Sequence, residues 1–319
     1  MLPLAALFWL LSTLRRQLFR LGVLQVQRIQ VPVVVVGNIA VGGSGKTPVV
    51  QWLVEQLREA GYRPGVISRG YGGRVRGAAL VDSAADPAEY GDEPVLIARA
   101  CGCPVAVGAD RPAAARHLLE AHPECDVLIS DDGLQHYRLH RDCEIIVVDP
   151  ATLGNGWLIP AGPLREAPGR LAQADLVIAH GNPDPAVFAR AGEVPVRRMR
   201  LVGGMVHVLG DVGRRKPLGE LAGQRVHAIA GIGRPERFFD QLRAAGLEVV
   251  PHPFPDHHHF VAADLATGDD LPRILTAKDA VKCETFAPPE TWVFPVRARI
   301  EAGAAGRILE KLKHGREIA

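Results

Sequence analysis

The stretch Val33-Val34-Val35-Val36-Gly37-Asn38-Ile39-Ala40-Val41-Gly42-Gly43-Ser44-Gly45-Lys46-Thr47-Pro48 constrains this chain more than any other. The β-branched run reads as a short strand buried on both faces. A glycine-rich loop follows, and residues 48–60 read as a helix closed by Gly61. Strand, glycine loop and helix start, in that order, make a phosphate-binding loop (P-loop). Glycines let successive backbone N–H groups turn toward phosphate oxygens at a helix N-terminus. In such a loop Lys46 reaches the β- and γ-phosphates, and the Thr47 hydroxyl ligates Mg²⁺. Ala40 stands where the usual pattern has its first glycine, so the bare motif is incomplete while its context is right. The expectation is a bound nucleotide with magnesium, cradled by Gly42, Gly43, Ser44, Gly45, Lys46 and Thr47.

Further apolar runs at 65–68, 105–107, 126–130, 145–148 and 176–179 alternate with helical stretches such as 111–121. That alternation predicts an α/β fold: a parallel sheet with helices on both faces. Around residues 196–209 the texture becomes extended and basic. A second α/β unit then follows: strand 226–230, turn Gly231-Ile232-Gly233, helix 235–245 and strand 247–251. Residues 292–299 form another extended stretch able to pair with the first linker, and 305–314 read as a terminal helix. The expected division is an N-terminal helix in 1–30, a nucleotide-binding domain in 31–200, a smaller α/β domain with linker strands in 201–300, and a C-terminal helix in 301–319.

Lysine and arginine number 37 against 35 aspartates and glutamates in 319 residues. That balance argues against a protein that coats nucleic acid. The five cysteines include no C-x-x-C pair, so a zinc ribbon or thioredoxin-type centre is unsupported. The balance hides an asymmetry. No acidic residue precedes Glu55, residues 2–11 are almost wholly apolar, and Arg15, Arg16, Arg20 and Arg28 follow them. The order is the reverse of a secretory signal, and the apolar run is too short to span a bilayer. It suits a helix lying in the membrane interface, or equally one packed on the core.

The apolar run before Ser130-Asp131-Asp132-Gly133-Leu134-Gln135-His136 delivers carboxylates to a strand's C-terminal edge, where such an enzyme holds its metal. Asp132 or Asp131 fits that role, and Asp149, which also ends a strand, keeps the choice open. Asp92 and Glu93 precede a helix, where capping is the default. Arg165 and Glu166 sit in a rigid Gly-Pro loop. The tract Asp256-His257-His258-His259 is better suited to an Asp–His pair than to a metal, since adjacent histidines diverge. Lys278-Asp279 reads as a surface pair.

Taken together, Gly37-Asn38, Gly42 to Pro48, Ser68-Arg69-Gly70-Tyr71-Gly72, Gly91 to Pro94, Asp131 to His136, Pro160 to Glu166, Phe254 to His257 and Lys278 to Lys282 resemble the tetraacyldisaccharide 4′-kinase family. The resemblance implies transfer of the γ-phosphoryl of ATP, with Mg²⁺, to the 4′-hydroxyl of a tetraacylated glucosamine disaccharide 1-phosphate. It implies a P-loop kinase-type sheet domain, a second smaller α/β domain, a two-stranded linker, and an N-terminal helix seated on the cytoplasmic face of the inner membrane. By matching position, Asp92 is the implied general base and His257, oriented by Asp256, its partner across a cleft. Arg165 and Glu166 are implied near the phosphates and metal, and Gln135 and His136 near the nucleotide or sugar. The alternatives are a soluble P-loop ATPase or ligase of the dethiobiotin-synthetase or metallochaperone type, or a nucleotide-sensing module.

Overall fold

The computed structural model describes residues 1–182 and 185–317, with no account of side chains from residue 314 onward; the last two residues of the expected C-terminal helix lie outside the described residues. Two sheets organise the chain. The larger has nine strands, in spatial order Arg297–Ile300 (β15), Val196–Val202 (β8), Leu176–His180 (β7), Cys143–Val148 (β6), Val33–Gly37 (β1), Val127–Asp131 (β5), Pro64–Ser68 (β2), Val105–Val107 (β4) and Ala79–Leu80 (β3). All neighbours are parallel except β15 on β8 and β3 on β4. Val33 to Val36 are at most 1% exposed, because helices cover both faces. Burying each valine contributes about 1.5–3 kcal/mol, so the run has no stable solvent-facing alternative.

Helices Leu2–Arg20 (α1), Lys46–Glu59 (α2), Pro87–Tyr90 (α3), Asp92–Cys101 (α4), Arg111–Ala121 (α5), Pro185–Ala191 (α6) and Ala304–Glu317 (α9) belong to this first lobe. One apolar cluster joins α2, α4 and α9 to one face of the sheet, and another joins α5 to the opposite face.

The smaller sheet has six strands: Asp211–Pro217 (β10), Met205–Val208 (β9), Thr291–Phe294 (β14), Arg273–Thr276 (β13), Arg225–Ala230 (β11) and Glu248–Pro253 (β12). Its helices are Pro235–Ala244 (α7) and Ala277–Cys283 (α8), with an apolar cluster on each face of the sheet. The chain crosses between lobes twice, at Gly203-Gly204 and at Pro295-Val296. Before the second crossing β14 pairs antiparallel with β9, Trp292 opposite Val208, and beyond it β15 pairs antiparallel with β8, Arg297 opposite Val202, so the two extended stretches pair in both sheets. Gly203 packs on the Phe294 ring with no room for a side chain.

The first helix ends at Arg20, and Gly22 adopts a positive φ of 73°. Ala5 is its only buried residue, while Leu2, Leu4, Leu7, Trp9, Leu10, Leu11 and Leu14 are each 50–57% exposed. Phe8 meets Leu158 and Leu164, and Arg20 donates to Gln173 Oε1 at 2.7 Å. Among the described residues no helix is long and apolar enough to cross a membrane.

Candidate active site

A cavity of about 2040 Å³ opens between the lobes. Its floor is the C-terminal edge of the large sheet, where ligands gather in parallel α/β folds. Gly42 (φ 101°) and Gly45 (φ 85°) use backbone conformations that side-chain-bearing residues rarely adopt. They bring the loop around to α2, whose N-cap Gly45 supplies no side-chain cap. The first amides of α2 are thus left to the cavity, a ready anion site. Lys46 and Thr47 line the cavity at the same point.

Asp132 follows β5 in a left-handed conformation, φ 47°. Its carboxylate stands 3.5 Å from Lys46 Nζ and accepts from Arg165 Nη1 at 3.2 Å. Burial opposes ionisation there, but Lys46 and then Arg165 hold the carboxyl below its ordinary value. Asp131 behaves oppositely. It is fully buried, accepts from Ser68 Oγ at 3.3 Å, and has one oxygen without a partner. Burial, then the charges of Glu93 and Asp132, push it up to about 7. Asp132 lines the cavity and Asp131 does not. Asp149 is occupied from the other lobe by Arg234 and Arg237.

Across the cleft, His257 (φ 59°) accepts its orientation from three sides. Its Nδ1 lies 3.1 Å from Asp92 Oδ2, its backbone N–H donates to Asp256 Oδ1 at 3.1 Å, and Tyr71 meets the ring edge-on at 5.1 Å. Asp92 opens α4 after Gly91, where a Cβ would come 2.6 Å from the Tyr71 carbonyl oxygen. His257 lines the cavity, while Asp92, 6% exposed, sits just behind it. Burial raises the Asp92 carboxyl, but the His257 hydrogen bond and the Lys278 charge outweigh it and hold it below the ordinary value. The same hydrogen bond raises the His257 pKa against burial and Lys278.

Lys278 corrects the expectation of a surface pair. Its ammonium lies 3.2 Å from Glu93 Oε1, 3.2 Å from Asp256 Oδ1 and 3.9 Å from Asp92 Oδ2. Despite burial, Glu93, then Asp92 and Asp256, raise its pKa. Asp279 is fully buried, accepting from Gly231 N at 2.9 Å and Thr276 Oγ1 at 2.7 Å and paired with Lys282. No local signal marks Lys278: its partner Glu93 is 185 residues away. In Lys278→Met, loss of the cation raises the Asp92 pKa, so the acid limb of kcat/KM against pH should move to higher pH. An unmoved limb would show that Lys278 does not tune Asp92.

The remaining expected residues divide. Glu166 lines the cavity but accepts from Gln135 Nε2 at 2.8 Å and Tyr137 OH at 2.7 Å, and pairs with Arg170 at 3.2 Å. Gln135 lines the cavity too, whereas His136 does not, and burial, then Arg111, pushes it down to about 4. His258 stacks on Phe254 and pairs with Asp264 at 3.0 Å, turned away from His257.

The profile of the LpxK family, tetraacyldisaccharide-1-P 4′-kinase, matches residues 1–313. The tetraacyldisaccharide 4′-kinase of Aromatoleum aromaticum is 62% identical over 319 residues, covering 100% of this chain and 95% of that protein. That of Azoarcus sp. is 62% identical over 320 residues, covering 99% and 92%. The solved structure of LpxK from Aquifex aeolicus in complex with ATP superposes with a TM-score of 0.81 at 28% identity, covering 98% of each chain.

Proposed function

The chain belongs to the tetraacyldisaccharide 4′-kinase family, and from that premise we propose how its residues divide the work. It is an ATP-dependent kinase that phosphorylates the 4′-hydroxyl of tetraacyldisaccharide 1-phosphate in lipid A biosynthesis. A soluble ATPase or ligase is not favoured. The observation that carries the division of roles is the 3.1 Å contact of His257 with Asp92, made between lobes beside the glycine loop.

In this reading residues 42–47 form a P-loop whose amides and Lys46 bind the phosphates. Arg165, across Asp132 from Lys46, adds a second cation as charge develops on the transferring group. Asp92 is the base for the 4′-hydroxyl, and His257, steadied by Asp256, orients it and shares the proton. A proton on such a pair titrates as a property of the pair. Asp131 titrates nearer neutrality, but it is fully buried behind Ser68, whose hydroxyl donates to it, whereas Asp92 stands in direct contact with His257 on the cavity wall.

The donor set fits magnesium. Asp132 and the Thr47 hydroxyl offer hard oxygens at the phosphate site, and Asp131 leaves a buried oxygen unpartnered just behind. Mg²⁺ is usually held by one or two carboxylates together with phosphates. Bound there it would neutralise phosphate charge. Glu166, on the cavity wall, fixes Gln135. Given ATP, Mg²⁺ and the acylated disaccharide, the protein should form the 4′-phosphorylated product; normal ATP binding without transfer would overturn the assignment.

The exposed apolar row of α1, with Arg15, Arg16 and Arg20 behind it, supports a seat in the headgroup region of the inner membrane's cytoplasmic face. Each of these leucines, about half exposed, gains on the order of 1 kcal/mol on leaving water. Changing Leu7, Leu10, Leu11 and Leu14 together to serine should weaken flotation with phosphatidylglycerol vesicles at least tenfold while ATP binding persists. Undiminished flotation would unseat the helix.

A further inference from the structure

Asp149 directly follows β6 in the first lobe and is 1% exposed. The second lobe supplies its counter-ions. Arg237 grips it with two nitrogens, Nη2 to Oδ1 at 2.9 Å and Nη1 to Oδ2 at 2.6 Å. Arg234 Nη1 adds contacts at 3.4 and 3.3 Å. The same carboxylate accepts from the Ala151 N–H at 3.1 Å, which fixes it to its own lobe. A desolvated carboxylate held bidentately is geometrically specific, and costly to leave without its partners.

The position of these arginines gives the contact its meaning. Arg234 follows Gly233 directly, and a Cβ on Gly233 would lie 2.9 Å from the Gly43 nitrogen and 3.2 Å from Asp256 Oδ2. The turn 231–233 therefore touches the glycine loop of the first lobe and the Asp256-His257 segment of the second. It is held from behind by Asp279, which accepts from Gly231 N. Asp149 holds it from across the cleft. On the other flank, Arg99 meets Glu284 at 2.7 Å and Lys278 meets Glu93 at 3.2 Å, so the cleft is tied on both sides.

We propose that Asp149, Arg234 and Arg237 form a clamp between the lobes, which seats the 231–233 turn on the phosphate loop and so sets the distance at which His257 meets Asp92. They act here as positioning residues: Arg234 and Arg237 also line the cavity, but both guanidiniums are turned onto the Asp149 carboxylate behind its wall. The inference rests on the assignment of Asp92 and His257 as the acting pair. Displacements of about 1 Å at a catalytic constellation cost up to about 10²-fold in rate, which is the scale on which such a clamp acts.

The test uses the full chain with Arg234→Gln and Arg237→Gln combined. Both side chains are one-third exposed, and because the pair leaves the buried Asp149 carboxylate without counter-ions, the same background carrying Asp149→Asn is the control for that cost. Steady-state kinetics and amide hydrogen exchange are read together. The clamp predicts a kcat at least tenfold lower, an ATP KM within threefold of the parent, and exchange at least tenfold faster in peptides spanning 40–46 and 231–234. Adding Asp149→Asn should then change kcat less than twofold, because contacting residues are non-additive. Parental kcat with parental exchange would overturn the clamp. So would a rise in ATP KM matching the loss of kcat/KM at unchanged exchange, which would make the arginines nucleotide ligands. Faster exchange throughout β11–β14 would reduce them to a folding role. Should the parent protein itself transfer no phosphate, the kinase roles fail, and the exchange data still decide whether the lobes are clamped.

Discussion

Asp92→Asn is expected to lower kcat by roughly 10²–10⁴-fold, the range for removing a positioned acid–base group, while ATP affinity stays within a few-fold. The amide keeps the side chain's shape beside His257 but cannot take a proton from the sugar hydroxyl. Removing Asp92 does not strip the nucleotide site, because Lys46, Arg165 and the α2 amides are set by other elements. Phosphoryl transfer is loose, so the base has to receive the proton and aim the oxygen rather than generate a free alkoxide. A carboxylate held below its ordinary pKa can do that. His257→Gln should lose less than Asp92→Asn, and the double variant little more than Asp92→Asn alone, as expected of residues acting as a unit. Loss of ATP binding in Asp92→Asn with no separate chemical defect would remove Asp92 from the chemistry and make it a structural residue of α4.

Much of the fold was legible because it depends on local pattern. The valine run, the glycine loop and Gly-Lys-Thr all lie within sixteen residues, and β1, the loop and α2 appear where the sequence puts them. The boundary between lobes was less legible. Whether 297–300 belongs to the second unit or returns to the first depends on its pairing with β8, a contact made across about a hundred residues. The site divides along the same line. Asp131, Asp132 and Asp149 are indistinguishable in sequence, each ending an apolar strand. Only packing makes Asp131 a sealed acid, Asp132 the partner of Lys46 and Arg165, and Asp149 the anchor of two arginines. Lys278 looked like a solvated lysine because α4 and α8 come together only in the folded chain.

Lys46→Met should lower kcat by about 10²–10³-fold, the scale for losing one preorganised charge at a transition state. Lys46 and Arg165 share Asp132, which keeps both cations at the mouth of the glycine loop. Nucleotide phosphates arriving there should meet two positive side chains already held in place by Asp132, which lowers the reorganisation left for the chemical step. Losing Lys46 leaves Arg165 alone against the charge on the transferring group and leaves Asp132 with one counter-ion. The Asp132 carboxyl then rises toward its ordinary value, since Lys46 is the larger of the two charges that depress it. Arg165→Met should cost less, and Lys46→Met with Arg165→Met less than the product of the two, because each single change already unbalances Asp132. Single-turnover rates at saturating ATP separate this from weakened binding. A Lys46→Met protein with parental single-turnover rate and a raised KM would make Lys46 a docking charge, and move the burden of transition-state stabilisation to Arg165 and the α2 amides.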